Sequence, residues 1–370
     1  DRSPSRGLGD VYKRQRPTIQ KFEGVNVDND LSFLFKNEEN IYLIPPYLKD
    51  RETEILKAWE SIGYKNHVYL FSSGTSSKTK LKSYIIAKSS LLNNARAVNE
   101  FLNTSHEDTW LATLPKYHIG GLSIYARASL TNSKVLELPG NKWKLDSVKF
   151  LLETEKINYF SVIPMQLLEL IEGRVKVPAC LKGIFVGGDF LANALADKAL
   201  ALGWPIIKTF GMTETSSQIA TSYYKNMQDG YLKVLPIHKF VGQNLSSSSL
   251  YTALCLFDGD EVEIKNLNSE SFELPDNILV QGSRPQFLKP LGRIDDVIKL
   301  KGRLIDFLEF KEVIHGIFLS LDLYGHAEVI PEEDKHGMKK ISIYALKNIE
   351  KDEQKTVSYT HLTLPTKRIV

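Results

Sequence analysis

Residues Ile206–Thr221 read IIKTFGMTETSSQIAT. The β-branched pair Ile206-Ile207 opens a short strand that ends in a sharp turn at Phe210-Gly211, and hydroxyl side chains then crowd around a single acid, Glu214. Threonine and serine hydroxyls can donate to phosphate oxygens, a carboxylate can hold Mg²⁺ against them, and an aromatic ring can lie on a base. The stretch therefore suits a phosphorylated nucleotide. A hydroxyl-rich turn after a strand is, taken alone, more often only a turn, so the rest of the chain has to decide.

On either side of this stretch, apolar runs alternate with helical patterns. HVYLF (67–71), TWLATL (109–114), KVLEL (134–138), YFSVI (159–163), GIFVG (183–187) and PIIKTF (205–210) read as strands. Helical periodicity falls at 51–63, 89–103, 121–131, 146–156, 165–172 and 191–202. The pattern predicts an α/β fold with a large domain of mostly parallel sheets and flanking helices, its function at strand C-terminal ends. Residues 243–249 read as a polar surface loop, and LCLFDGDEVEIKN (254–266) as a hairpin turning at Asp-Gly. Beyond Arg293, a helix over 307–321 and the strand-like HAEVIP and KISIYAL predict a small α+β unit.

The 370 residues are 42% hydrophobic and 25% charged, which allows one large domain and a smaller one. No apolar run reaches the roughly 18 residues of a membrane span. Cys180 and Cys255 are the only cysteines, so neither a disulfide framework nor a cysteine-based metal site is expected, and a reducing, cytoplasmic setting fits. DVYKRQ (10–15) and VSYTHL (357–362) resemble the two strands of a sequencing adaptor in translation, so 1–15 and 356–370 are expected to be foreign flanks. Without them the formal charge of +3 falls to near −1, and no nucleic-acid footprint is expected.

Four segments carry candidate chemistry beside the opening one. In LFSSGTSSKTKLKS (70–83) a strand enters a hydroxyl-rich loop closed by lysines, which can wrap phosphates or be a plain polar loop. In LPKYHIGGLSIYARASL (114–130), His118 and the following glycines stand at a strand end, and Arg127 lies about two turns into the next helix. Both would otherwise be structural or solvated. FVGGDF (185–190) ends a strand on paired glycines, fit for a base, a ribose or an ordinary tight turn. LGRIDDVIKLKGRLID (291–306) sets an arginine, acids and lysines at the junction of the two regions, as a hinge or a charged surface loop.

Together the segments resemble the adenylate-forming superfamily of acyl- and aryl-CoA ligases: SSGTSSKTK as its phosphate loop, GMTET as its adenine and Mg²⁺ segment, GRIDDVIKLKG as its hinge. Within it, YHIGGLSIYAR, FSVIP and TFGMTETSSQIAT resemble the o-succinylbenzoate–CoA ligases of menaquinone biosynthesis. The resemblance implies ATP, Mg²⁺ and coenzyme A as cofactors and a small carboxylic acid as substrate. It implies an adenylation domain over 16–293 and a partial, mobile C-terminal domain over 294–355. By it, Ser72, Ser73, Gly74, Thr75, Ser76 and Lys80 form the triphosphate loop, Gly187 and Gly188 flank the adenine, and Phe210 stacks on it within the Gly211-Met212 segment. Thr213 touches the α-phosphate and Glu214 holds Mg²⁺; Asp276 and Arg293 meet the ribose, Asp295 is the hinge, and Gly302 passes the pantetheine arm. His118 borders the acyl site, while Arg127, assisted by Ser216, Ser217 or Gln218, anchors the benzoate carboxylate.

The chain departs from the family pattern at Ser77, Thr79 and Leu81 in the phosphate loop, at Asp189 and Phe190 after the paired glycines, and at Phe307 and Leu308. The family's adenylation lysine is expected to be missing, because native sequence is expected to stop near Lys355, and adenylation to be slow. Another aryl- or acyl-CoA ligase and a catalytically degenerate nucleotide-binding homologue are the alternatives. The sequence carries no sign of oligomeric state.

Overall fold

In a computed structural model of the chain, residues 35, 37–72, 80–259, 261–267, 269, 271–293, 297–300, 303–321, 327–333 and 339–345 are described. The alternation of side chains along its strands decides its layers. In β4 (Thr109–Ala112), β6 (Tyr159–Val162), β7 (Gly183–Val186) and β8 (Ile206–Met212), Leu111, Phe160, Ile184 and Ile206 face one core. Their neighbours Trp110, Tyr159, Phe185 and Ile207 face another. Both faces of this sheet are covered, as a parallel α/β sheet requires.

The sheet has nine strands in the order β16-β17-β10-β9-β8-β7-β6-β4-β5, with β5 at Lys134–Glu137, β9 at Ser217–Tyr223, β10 at Leu232–Val234, β16 at Asp276–Gln281 and β17 at Phe287–Arg293. Pairing is parallel from β5 to β8 and antiparallel from β8 to β16. A second sheet runs β1-β2-β3-β13-β14, with β1 at Ile41–Leu43, β2 at His67–Phe71, β3 at Lys80–Ala87, β13 at Ala253–Asp258 and β14 at Glu261–Asn266. Only β1-β2 is parallel there.

Two helices fill the space between the sheets: α2 (Lys88–Leu102) and α3 (Ile119–Thr131). Leu91, Leu122 and Tyr125 pack on Val68 and Ile86 of the smaller sheet, while Val98, Ile124 and Ala128 pack on Trp110 and Phe185 of the larger. Every residue of α3 from Gly121 to Ala128 is buried, as for a helix enclosed on all sides. Outside the smaller sheet lies α1 (Glu52–Ile62), whose Ile55 and Trp59 pack on Tyr69 and Phe71. Outside the larger lie α4 (Leu145–Thr154), α5 (Pro164–Glu172) and α6 (Asn193–Ala201), so the order is helix, sheet, helices, sheet, helices.

The α/β class and the six strands read from the sequence stand, with differences. The stretch 243–249 is not a loop throughout: β12 (Asn244–Ser247) lies between β11 (His238–Val241) and β15 (Ser271–Glu273) in a small sheet, and only Leu245 of β12 is fully buried. The hairpin at 254–266 is β13-β14. The C-terminal region supplies the pair β18 (Val297–Leu300) and β19 (Arg303–Asp306), helix α7 (Phe307–Ser320), and the pair β20 (Ala327–Glu333) and β21 (Lys339–Ala345). The flanks 1–15 and 356–370 lie outside the described residues.

Candidate active site

The opening stretch folds as a hairpin. β8 continues through Gly211 to Met212, one turn of 3-10 helix carries Thr213–Thr215, and β9 returns from Ser217. The strand thus ends two residues later than read from the sequence, and a bulge falls between Phe210 and Gly211. Ser216 takes a left-handed backbone, φ 58°, after the turn. Gly211 is required here, because a Cβ would collide with the Ser217 carbonyl and lie 2.7 Å from the Gln218 Cα.

Side chains from α2 and β3, the turn's own Ser216 and the backbone of Tyr251 hold this turn. Asn94 of α2 donates to the carbonyls of Thr215 (3.2 Å) and Gln218 (2.7 Å). Ser216 is buried and donates to the Ser249 carbonyl at 2.6 Å, which makes it a brace of the turn. Tyr84 of β3 donates to Glu214 Oε1 at 2.5 Å, and Tyr251 donates its backbone N–H to the Glu214 carbonyl at 3.0 Å. The half-buried Glu214 carboxylate therefore has a fixed orientation. Tyr84 and Asn94 were not singled out in the sequence; Asn94 was legible as a polar residue on the apolar stripe Leu91, Ala95, Val98.

The ring of His238 is buried, and its Nε2 lies 2.9 Å from the Gln218 carbonyl. A carbonyl only accepts, so Nε2 carries the proton, and Nδ1 is buried without a partner among the described residues. Burial pushes its pKa down to about 4 from 6.5, the Gln218 carbonyl opposing in part. A lowered histidine pKa gives stability that is present above the unfolded value and lost as pH falls through the folded one. Stability of the order of 3 kcal/mol is therefore expected to disappear between about pH 6.5 and 4 through this group. Urea midpoints against pH should show that limb, and His238→Gln should flatten it.

The other candidates stand as follows. Gly187 follows β7 and Gly188 adopts φ 80° on the exposed turn beyond it; a Cβ at Gly187 would strike Thr209 Oγ1. Phe210 and Met212 are partly buried against Ile219 and Leu232. Asp276 and Arg293 face one another across β16 and β17, so the two ribose candidates are cross-strand partners. Ser72 hydrogen-bonds its N–H to the Lys82 carbonyl, and Lys80 begins β3. Ser73, Gly74, Thr75, Ser76, Asp295 and Gly302 lie outside the described residues.

His118 is the N-cap of α3 and half-buried, and desolvation lowers its pKa. Arg127 lies nine positions on, roughly 13 Å down the helix. It is 1% exposed, with its guanidinium 5.1 Å from the Phe185 ring and 5.6 Å from that of Trp110. Its Nε has no hydrogen-bond partner among the described residues, and burial pushes its pKa down to about 9. An isolated buried cation is costly, and flanking rings offset only part of that cost. On β9, against which α3 packs, Gln218 Oε1 is likewise buried without a partner among the described residues.

The residues that depart from the family pattern after the paired glycines sit against α7. Phe190 packs edge-on to His315 at 5.3 Å, Glu312 Oε1 accepts the Asn193 N–H at the start of α6 at 2.6 Å, and Ile314 and Phe318 join the core under α6. No helix among the described residues is long and apolar enough to cross a membrane.

Residues 58–241 match the family described as AMP-binding enzyme. A 2-succinylbenzoate–CoA ligase of Bacillus cereus (strain Q1) is 34% identical over 131 residues, which span 34% of this chain and 27% of that protein. The fold is that of o-succinylbenzoate coenzyme A synthetase from Bacillus subtilis in complex with ATP and magnesium ion: TM-score 0.61, 22% identity, 75% of this chain and 59% of that one. It is also that of wild-type E. coli MenE with a bound analogue of OSB-AMS: TM-score 0.56, 18% identity, 77% of this chain and 60% of that one. The hairpin of Glu214, at the end of a parallel sheet, lies within the matched residues, and over 58–241 the chain belongs to the AMP-binding enzyme family.

Proposed function

We propose that the chain serves an ATP-dependent acid–CoA ligase, which joins a carboxylate to AMP and passes the acyl group to coenzyme A, and that its acid is an aryl acid with a second carboxylate, o-succinylbenzoate. The observation that carries the substrate is Arg127, a buried cation beside the stacked rings of Trp110 and Phe185 with an unpartnered Nε among the described residues. A ligand carboxylate would complete it. The likeness to 2-succinylbenzoate–CoA ligases supports the same reading.

The residues of the hairpin fit a magnesium nucleotide. Glu214 is a carboxylate held still at a strand end, Thr213 precedes it with a hydroxyl, and Gly188 leaves the neighbouring turn without a side chain. Mg²⁺, when bound, offsets phosphate charge so that a carboxylate can attack the α-phosphorus. The chain's part is to orient: Tyr84 fixes Glu214, Asn94 fixes the turn, and Asp276, opposite Arg293 in the register of β16 and β17, stands where the ribose is proposed to bind. The new acyl–phosphate bond forms as pyrophosphate leaves, and the thiolate later displaces AMP.

Calorimetric titration with ATP, with and without Mg²⁺, tests the nucleotide half. Binding is expected to require Mg²⁺ and to fall at least tenfold in Glu214→Gln and about tenfold in Tyr84→Phe, since partners of metal-binding carboxylates carry about 10- to 100-fold in affinity. ATP binding indifferent to Mg²⁺ and to both substitutions would refute it.

A further inference from the structure

The loop between β4 and α3 carries His118 and is fastened by an ion pair that the reaction itself does not need. Lys116, two residues before His118, is buried, and its Nζ lies 2.6 Å from Glu137 Oε1 at the C-terminal end of β5. The same oxygen accepts the Tyr125 hydroxyl at 2.9 Å, and the ammonium stands 5.5 Å from the Tyr125 ring centroid. Tyr125 lies on α3 and is 1% exposed. Above this network the loop backbone rests on the first turn of α3: the His118 N–H reaches the Pro115 carbonyl at 3.1 Å, and a Cβ on Gly121 would strike that same carbonyl.

Lysine on a connecting loop is normally solvated, and burying an ion pair rarely adds net stability over apolar residues of similar volume. What such a pair supplies is a fixed geometry. The loop is held from below by Lys116 and from the side by Gly121, and the residue so fixed is His118, whose ring stands 4.6 Å from that of Tyr117.

We propose that Lys116, Glu137 and Tyr125 are positioning residues that fix the loop of Tyr117 and His118 against the acyl group, and so set affinity for the acid half of the ligand and not for the nucleotide half. The inference rests on the ligase reading for the acyl site. None of the three residues touches the nucleotide segments Phe210–Glu214 by any contact described above.

The test replaces the network as a whole, K116M/E137L/Y125F, so that no charge or hydroxyl is orphaned; Y125F alone is the milder second variant. Two quantities are measured at 25 °C: calorimetric affinity for a non-hydrolysable o-succinylbenzoyl-adenylate analogue and for AMP, and the titration of the His118 ring by NMR. Binding of the analogue is expected to weaken at least fivefold with AMP binding unchanged. The His118 pKa is expected to rise toward the ordinary histidine value as the loop admits water. Analogue affinity within twofold of the parent, or equal losses for analogue and AMP, overturns the proposal. If the parent chain binds AMP but not the analogue, the ligase reading falls; the clamp on the loop is then decided by His118 alone, and an unchanged titration overturns that too.

Discussion

Replacing Arg127 by methionine is expected to make the protein more stable and its acid recognition worse. The guanidinium lies beside the stacked rings of Trp110 and Phe185 in a helix buried on all sides, and its Nε finds no partner among the described residues. Exchanging a buried charge for an apolar side chain of similar volume is commonly neutral or stabilising by about 1–4 kcal/mol. If a ligand carboxylate is the missing partner, the same exchange removes a desolvated ion pair from the complex, worth about 2–5 kcal/mol when truncated. The denaturation midpoint should rise while affinity for the o-succinylbenzoyl-adenylate analogue falls at least tenfold. Arg127→Lys should recover little, because a compact ammonium does not reproduce the flat, multidentate guanidinium beside the two rings. A structural arginine would behave otherwise: its loss would lower stability and leave analogue binding alone.

Gly211→Ala is expected to be the most damaging single methyl in the nucleotide segment. The added Cβ meets backbone, the Ser217 carbonyl and the Gln218 Cα at 2.7 Å, and none of these can swing aside as a flexible side chain would. Overpacking of that kind costs about 1–3 kcal/mol or more. The strain falls on the register between β8 and β9 and so displaces Thr213 and Glu214. Gly63→Ala is the control. Gly63 has φ 78° at the end of α1, and a methyl added there would meet no atom within 4 Å, so it should cost only about 1 kcal/mol of left-handed strain. Urea unfolding of both, with AMP titration of each, should give a larger loss in Gly211→Ala and weaker AMP binding there alone. Equal losses would show that the close approach of β8 and β9 does not set the cost.

The parallel part of the fold was legible because its strands announce themselves. Trp110-Leu111, Tyr159-Phe160 and Phe185-Val186 are apolar on both faces, and each strand is followed by a helical pattern. The antiparallel part was less legible. β9 looked like the tail of a hydroxyl-rich turn, since Ser217, Gln218 and Thr221 are polar although buried between helices and sheet. β3, at Lys80–Ala87, was concealed by lysines that the eye assigns to the phosphate loop. β12 has one buried residue and so little apolar signal. Short strands whose partners lie far away in sequence leave their pairing to tertiary packing.

The site shows the same division. Glu214, Gly211 and Gly188 could be located from strand ends and turns, but Tyr84 could not, because its hydroxyl meets Glu214 across 130 positions of chain. Asp276 and Arg293 became a pair only through the register of β16 and β17. Phe190, which stood as a departure beside the paired glycines, gains a reason from α7: it is the surface on which His315 rests.

Whether Arg127 selects the acid is decided by calorimetric binding of two non-hydrolysable acyl-adenylate analogues, one carrying o-succinylbenzoate and one carrying plain benzoate, to the parent chain and to Arg127→Met. The first is expected to bind the parent at least tenfold more tightly, about 1.4 kcal/mol, and that preference to vanish in the variant with AMP binding intact. Equal binding of the two analogues by the parent chain, or a preference that survives the loss of Arg127, would contradict the role given to this arginine and with it the choice of o-succinylbenzoate.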